Sequence, residues 1–433
     1  MIFAKLPIIK NYYLRFHNKI NRLERQINTV TQENINLRFR LKSINNEKIN
    51  VVFICWRPAI WTSLKSVYEE MKKDSAFNVT ILTIPNKKQL PKLYFNHENY
   101  ESEGAEDFWK GEDVVRGFDY DEKKWKDLRE LKPDYVCLQQ PYNGCRPEKL
   151  KACNISQYSK IFYVHYASNF IANEVLENST PIDFFNYVSF MFNQNKMDYE
   201  IMKKHFNKMG NDFTKQYLTG FPRYDELKQY ENMESDLWSL PRDKNNFRVI
   251  WTPRWCTDEG NCNFFDYKDY LLKYCEENPN VDFVFRPHPQ AFSNWVSTGE
   301  LTEEEEKMYR DSYKKLRNTT IDESKEYFAT FFSSDCIITD VSSIISDYFL
   351  TGNPIIYCHK KDYFNDYSRK LAEGFYWVRN WNELEKTLEM IRSGNDPLKE
   401  KRNELKNELY YFPKNGSGAM IKDIIKRDFN GEC

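Results

Sequence analysis

The chain has 433 residues, 41% of them hydrophobic and 16% aromatic, with 63 Lys and Arg against 64 Asp and Glu for a net charge of −1. That length exceeds what one core usually serves, so two domains are expected, and the near-neutral balance excludes a protein that binds nucleic acid or another polyanion over its whole surface. Ten cysteines are scattered without a Cys-x-x-Cys pair. Cys256 and Cys262 come closest, with neither a second pair nor a His at zinc-ligand spacing, so zinc is not expected.

Scattered thiols in apolar runs, such as Cys55, Cys137, Cys336 and Cys358, fit a reduced cytoplasmic protein in which cysteine acts as a small core hydrophobe. No apolar run reaches transmembrane length and the start lacks a signal-peptide pattern, so a cytoplasmic location is expected.

Charge is concentrated at the start. Residues 1–50 carry ten Lys/Arg against Glu24, Glu33 and Glu47, a net +7. From Met1 to Ile20, basic residues are interleaved with Ile, Leu, Phe and Tyr, a composition suited to an anionic membrane surface. A heptad then follows, with Ile20, Ile27, Asn34 and Leu41 on one seam position and Leu23, Val30, Leu37 and Ile44 on the other. Four heptads of this spacing predict a coiled-coil helix and a homo-oligomer formed through residues 20–44, with Asn34 fixing the register. The competing reading is one amphipathic helix packed on its own globular body.

From residue 50, short apolar strands alternate with helical stretches, the pattern of a parallel α/β sheet. Strands are predicted at 50–55, 78–84, 134–139, 160–164, 187–192 and 216–219, with helices at 63–73 and 123–131. The polar stretch 231–246 reads as an inter-domain linker. The alternation then restarts, with strands at 247–252, 281–285, 335–339 and 354–357 and helices near 267–277, 303–316, 322–332 and 343–350. Residues 381–411 and 418–428 read as terminal helices. Two α/β halves with a cleft between them are expected, with domains at 1–48, 49–235 and 246–433.

Neither Gly-x-Gly-x-x-Gly nor Gly-x-x-x-x-Gly-Lys-Ser/Thr occurs in the second half, which counts against a nicotinamide enzyme and a P-loop NTPase. Phosphate recognition is left to side chains and helix ends. Two strings supply them: Arg286-Pro287-His288-Pro289 after one buried strand, and Thr339-Asp340-Val341-Ser342-Ser343 after another. In an open parallel sheet, ligands bind beyond the carboxyl ends of the strands. A cation, an imidazole and two hydroxyls at a helix start suit a diphosphate there. Arg254, after the strand 247–252, is placed for phosphate charge. Asp340 is a candidate binding residue or an N-cap, and Asp347, one turn after Ser343, is a candidate for a ribose hydroxyl.

Among six histidines, His165 and His288 end strands in opposite halves. His17, His97 and His205 read as surface residues, and His359 as a weaker strand-end candidate. His165 has the ordinary pKa of a general base for an acceptor hydroxyl.

Taken in order, His165, Gly220-x-Pro222-Arg223, Thr252-Pro253-x-Trp255, Arg286-Pro287-His288-Pro289, Thr339-Asp340-x-Ser342-Ser343-x-x-x-Asp347-Tyr348 and Asn415-Gly416-Ser417 resemble the CDP-glycerol glycerophosphotransferase family of teichoic-acid-type polymerases and primases. The resemblance spans roughly residues 160 to 425. It implies two Rossmann-like domains facing a cleft, the GT-B architecture, with peripheral attachment at the inner face of the membrane. It also implies transfer of an alditol phosphate from a CDP-alditol to a polymer or lipid-linked acceptor, releasing CMP. The implied roles are base for His165 and diphosphate ligands for Arg286, His288, Ser342 and Ser343. Separately, no metal or cofactor is expected. The family's His-Gly appears here as His165-Tyr166, and an arginine usual after the closing motif is replaced by Ala419-Met420. A GT-B glycosyltransferase using a nucleotide sugar and a non-catalytic coiled-coil assembly protein are the alternatives.

Overall fold

Runs such as Val51-Val52-Phe53-Ile54 and Val249-Ile250-Trp251 are buried on both faces, as strands sandwiched between layers must be. The computed structural model describes residues 7–87, 100–101, 108–109, 111–112, 114–166, 182–211, 213–243, 245–324, 326–362, 364 and 366–432. Before Gln26, only the side chains of Lys19 and Leu23 are described, so the expected membrane-binding residues 1–20, with His17 and also His97, lie largely or wholly outside. No helix among the described residues is long and apolar enough to cross a membrane.

Residues 7–166, 182–223 and 412–432 form one unit, and 224–411 another. The first holds a seven-stranded sheet of parallel neighbours: β1 (Ile49–Cys55), β2 (Phe77–Thr83), β3 (Val114–Arg116), β4 (Tyr135–Leu138), β5 (Lys160–Val164), β6 (Phe190–Asn193) and β7 (Lys215–Leu218). Their order is β7-β6-β5-β4-β1-β2-β3. Alternate residues of β1 feed opposite cores, Val51, Phe53 and Cys55 on one face and Val52 and Ile54 on the other.

The second unit holds six parallel strands: β8 (Phe247–Thr252), β9 (Val281–Phe285), β10 (Thr319–Ile321), β11 (Cys336–Thr339), β12 (Ile355–Cys358) and β13 (Phe375–Val378), in the order β10-β9-β8-β11-β12-β13. In each sheet the chain fills one side of its first strand and then the other. The order therefore reverses between β1 and β4, and again between β8 and β11.

Several expectations change. The helix predicted at 123–131 is a two-residue strand and a 3-10 turn, Leu128–Leu131, started by Asp127 accepting the Arg129 N–H. Of the helix predicted at 322–332, only Phe328–Phe332 forms. Asp322 is instead buried in an ion pair with Arg286. Residues 381–411 form two helices, Trp381–Arg392 and Lys399–Leu409, parted at Gly394 with φ +82°. The stretch 231–246 is strapped to the second unit: buried Asp282 accepts N–H bonds from Ser239 (3.2 Å) and Leu240 (2.8 Å), and Trp238 Nε1 donates to Ser333 Oγ (2.7 Å).

The last helix, α3 in the order α1 (Pro7–Ile44), α2 (Thr62–Lys73) and α3 (Ser417–Phe429), groups with the first unit and not with 246–411 as expected. It lies so close to α2 that a Cβ on Gly418 would sit 2.2 Å from Ser66 Oγ and 2.6 Å from its carbonyl carbon, which requires glycine there. Asp428 anchors it further, accepting from Tyr135 Oη (2.6 Å) and pairing with buried Lys160.

Helix α1 is 38 residues long. Its C-terminal half docks on the first unit through Gln32, Ile35 and Phe39, which are buried, and through Lys42, paired with Asp134.

Candidate active site

The strand order places the sequence motifs at a specific edge. In the second unit β8 and β11 flank the reversal, the position where a parallel sheet opens a crevice. Thr252 and Thr339 are register partners at their carboxyl ends, and Thr252 Oγ1 donates to Thr339 Oγ1 (3.0 Å). Arg254, Arg286, His288, Ser342 and Ser343 all lie just beyond these strand ends or that of β9.

His288 is exposed, and its Nδ1 accepts the N–H of Gln290 at 3.2 Å. Partial desolvation and the Arg254 charge lower its pKa. The neutral ring therefore carries its proton on Nε2, a hydrogen-bond donor. Ser343 is exposed, immediately before the helical turn Ile344–Tyr348, and Ser342 is half-buried with its Oγ accepting the Ile344 N–H (3.4 Å).

The arginines arrive with partners. Arg254 donates through Nε to Glu259 (2.7 Å) and through Nη1 to the Val341 carbonyl (3.2 Å), tying the β8 loop to the loop that bears the serines. Arg286 pairs with fully buried Asp322, donates to the Ser324 carbonyl (2.9 Å), and lies 4.7 Å over the Tyr327 ring.

Two expected binding residues lie buried among protein partners. Asp340 is buried, and its Oδ2 accepts the Asn263 N–H at 2.9 Å. Burial pushes its pKa up to about 7. Through the bond from Asn263 it pins the strand-end loop. Asp347 is also buried: Oδ1 accepts from Tyr224 Oη (2.8 Å) and Oδ2 from Tyr327 Oη. Tyr327 thus links Arg286 to the helical turn that follows the serines. His359 follows β12 directly, with Nε2 3.8 Å from Asp362.

In the first unit, His165 follows β5 directly. It is 7% exposed, and its Nε2 lies 3.9 Å from Asp198 Oδ2. Burial lowers the His165 pKa to about 4, against a hydrogen bond to the Asn193 side chain that raises it. Burial likewise pushes Asp198 up to about 7. Asn195 caps the helix Lys196–Met209, accepting the Asp198 N–H (2.9 Å) and donating to its Oδ2 (3.2 Å). The cap thereby fixes the carboxylate beside the imidazole. Sequence reasoning missed Asp198 and Asn193, although Asn193-Gln194-Asn195 after an apolar strand was an available signal. At the first sheet's own reversal, Gln139 Oε1 accepts the N–H groups of Trp56 and Arg57, both at 3.0 Å, and Arg57 is exposed. Tyr166 exchanges a hydroxyl hydrogen bond with Tyr142 (3.1 Å).

Comparison with known proteins adds three findings. A family model, CDP-Glycerol:Poly(glycerophosphate) glycerophosphotransferase, matches residues 37–413. The minor teichoic acid biosynthesis protein GgaB of Bacillus subtilis is 27% identical over 231 residues, 49% of this chain but only 24% of GgaB, so the match spans about a quarter of that relative. Solved structures share the fold at low identity. The wall teichoic acid polymerase TagF is 14% identical with a TM-score of 0.54, covering 98% of each chain. A UDP-GlcNAc 2-epimerase from Neisseria meningitidis is 14% identical with a TM-score of 0.56, covering 88% of this chain and 100% of the other.

Proposed function

This chain belongs to the CDP-glycerol:poly(glycerophosphate) glycerophosphotransferase family, and from that premise we propose that it moves an alditol phosphate, glycerol phosphate foremost, from a CDP-alditol to a hydroxyl of a teichoic-acid-like or lipid-linked polymer. The observation that supports the reading is that Arg254, Arg286, His288, Ser342 and Ser343 all follow the carboxyl ends of three neighbouring strands, β9, β8 and β11, at the reversal of the second sheet.

In this reading the second unit binds the donor and the first handles the acceptor, the division of labour of a GT-B enzyme. The acceptor oxygen attacks the β-phosphorus, the bond from that phosphorus to the CMP oxygen breaks, and the hydroxyl proton passes to His165. The neutral imidazole is available to take it, and Asp198 offsets the imidazolium charge as it forms. His288 Nε2–H and the serine hydroxyls stabilise charge on the diphosphate and on departing CMP, so catalysis is largely positioning and electrostatics. Arg286 and Arg254 add positive potential and hold the two loops. Surface association at an anionic membrane face through the basic first residues, and oligomerisation through residues 20–44, belong to the same reading. A nucleotide-sugar donor and a non-catalytic role find no support in the family match.

The test is incubation with CDP-glycerol and CDP-ribitol separately, with and without crude membranes, while CMP is measured. Release from one donor, stimulated by membranes, is expected. Absence of CMP from both contradicts the proposal.

A further inference from the structure

Helix α1 has two faces with different fates. On a heptad wheel in which Ile20, Ile27, Asn34 and Leu41 take position a, Ile35 and Lys42 fall at b and Gln32 and Phe39 at f. Positions b and f lie opposite the a/d seam. The first unit occupies that b/f face: Phe39 is 1% exposed, with its ring centroid 5.0 Å from Tyr135 and 5.2 Å from Phe429. Lys42 pairs with Asp134, Ser43 donates to Asn430 (3.0 Å), and Gln32 Nε2 donates to the Ser156 carbonyl (3.4 Å). The seam itself is uncovered. Leu23, Ile27, Val30, Leu37, Leu41 and Ile44 are between 49% and 77% exposed.

A single amphipathic helix resting on its own body would turn its apolar stripe inward. Here the stripe with the strictest period points outward, while a different pair of positions makes the internal contacts. The protein therefore supplies one face of α1 to itself and leaves a regular, apolar 3-4 seam for another helix.

Charge identifies that helix. In a parallel, in-register pair, each g position faces the e position five residues on in its partner. The g residues are Lys19, Gln26, Glu33 and Arg40, and the corresponding e residues are Glu24, Thr31, Arg38 and Asn45. A second copy would place Lys19 against Glu24 and Glu33 against Arg38, whose Nη2 also lies 3.7 Å from Asp134 of its own unit, both attractive, with Gln26 against Thr31 and Arg40 against Asn45 free of like-charge conflict. Parallel pairing also sets Asn34 opposite Asn34, where the two amides can satisfy each other. Antiparallel pairing would set it against an apolar d residue and bury an amide without a partner. A membrane surface is a poorer occupant, because Asn34 lies within the seam and Glu33 at its flank.

We propose that the a/d face of α1 binds a second copy of this chain, forming a parallel, in-register, two-stranded coiled coil while the b/f face stays docked on its own first unit. The pairing is independent of the donor or acceptor, and mass measurements test it without reference to activity.

The experiment uses the full chain at micromolar concentration in light scattering or sedimentation. The parent is expected at the mass of two chains. The double variant Ile27→Glu, Leu37→Glu is expected at the mass of one, with an unchanged circular dichroism spectrum and an unchanged melt of the α/β body, since neither side chain is in the core. Leu37→Cys under mild oxidation should cross-link to its own copy, whereas Asn36→Cys, at a c position, should not. A parent of one-chain mass, a double variant that keeps the two-chain mass, or a Leu37→Cys variant that fails to cross-link each overturns the proposal. A parent of one-chain mass whose seam variants lose binding to anionic vesicles would assign the face to a membrane instead.

Discussion

The carboxyl edges of the two sheets have the same topology and opposite chemistry. At the first, the histidine is buried against a carboxylate whose own pKa burial raises, a pair suited to holding or moving one proton. At the second, the histidine is exposed, neutral and near the Arg254 charge, at an edge that also carries Ser342 and Ser343, a set suited to an anion. The same residue type thus takes two roles according to burial and neighbours alone. A strand-end position names a candidate, and its surroundings assign the task.

The largest effect expected from breaking this contrast is His165→Ala. CMP release should fall by about 10²- to 10⁴-fold, the usual contribution of a general base, while CDP-glycerol still raises the melting temperature. Loss of both together would remove the distinction between the edges.

Next is the support beneath the serines. Tyr327→Phe deprives buried Asp347 of one of its phenol donors and should cost about 1–3 kcal/mol in denaturant unfolding. Because the Tyr327 ring also lies over Arg286, Tyr327→Leu should in addition raise the donor KM beyond the effect of Tyr327→Phe. Equal KM values would show that the stacking has no bearing on the site.

The smallest effect is a pH slope. Asp198 keeps its proton to about pH 7 in the folded chain but has an ordinary value of 3.8. The folded state binds the proton more tightly, so the stability this group supplies is complete below pH 3.8 and is lost as pH rises through 7. Asp198→Asn should therefore gain stability relative to the parent as pH rises across that window. His165 acts in the opposite sense. Its pKa falls from 6.5 to about 4, so its contribution is present above 6.5 and is lost as pH falls towards 4. Melting curves of the parent and of Asp198→Asn and His165→Gln between pH 4 and 8 separate the two slopes. A pH-independent difference for Asp198→Asn would mean that burial does not perturb the carboxyl.

Much of this was legible in the sequence where burial is two-sided. Lys160–Val164, Phe247–Thr252 and Val281–Phe285 are continuous apolar or mixed runs in central positions, and the predicted bounds match the strands. Val114–Arg116 and Thr319–Ile321 were missed because each is a three-residue edge strand, too short to show a period. His288 and Ser343 were legible as strand-end groups. The partners of Asp347 were not legible because they are Tyr224, 123 positions away, and Tyr327. Asp198 escaped notice because its approach to His165 depends on two adjacent strands and a helix cap meeting in space.

The most direct test of the division between the edges is calorimetric titration of CDP-glycerol into the parent, His165→Ala and His288→Ala. The expected result is an unchanged Kd for His165→Ala and a weakening of about 10-fold for His288→Ala, the equivalent of roughly 1.4 kcal/mol. Weakened binding in His165→Ala together with unchanged binding in His288→Ala would contradict the account.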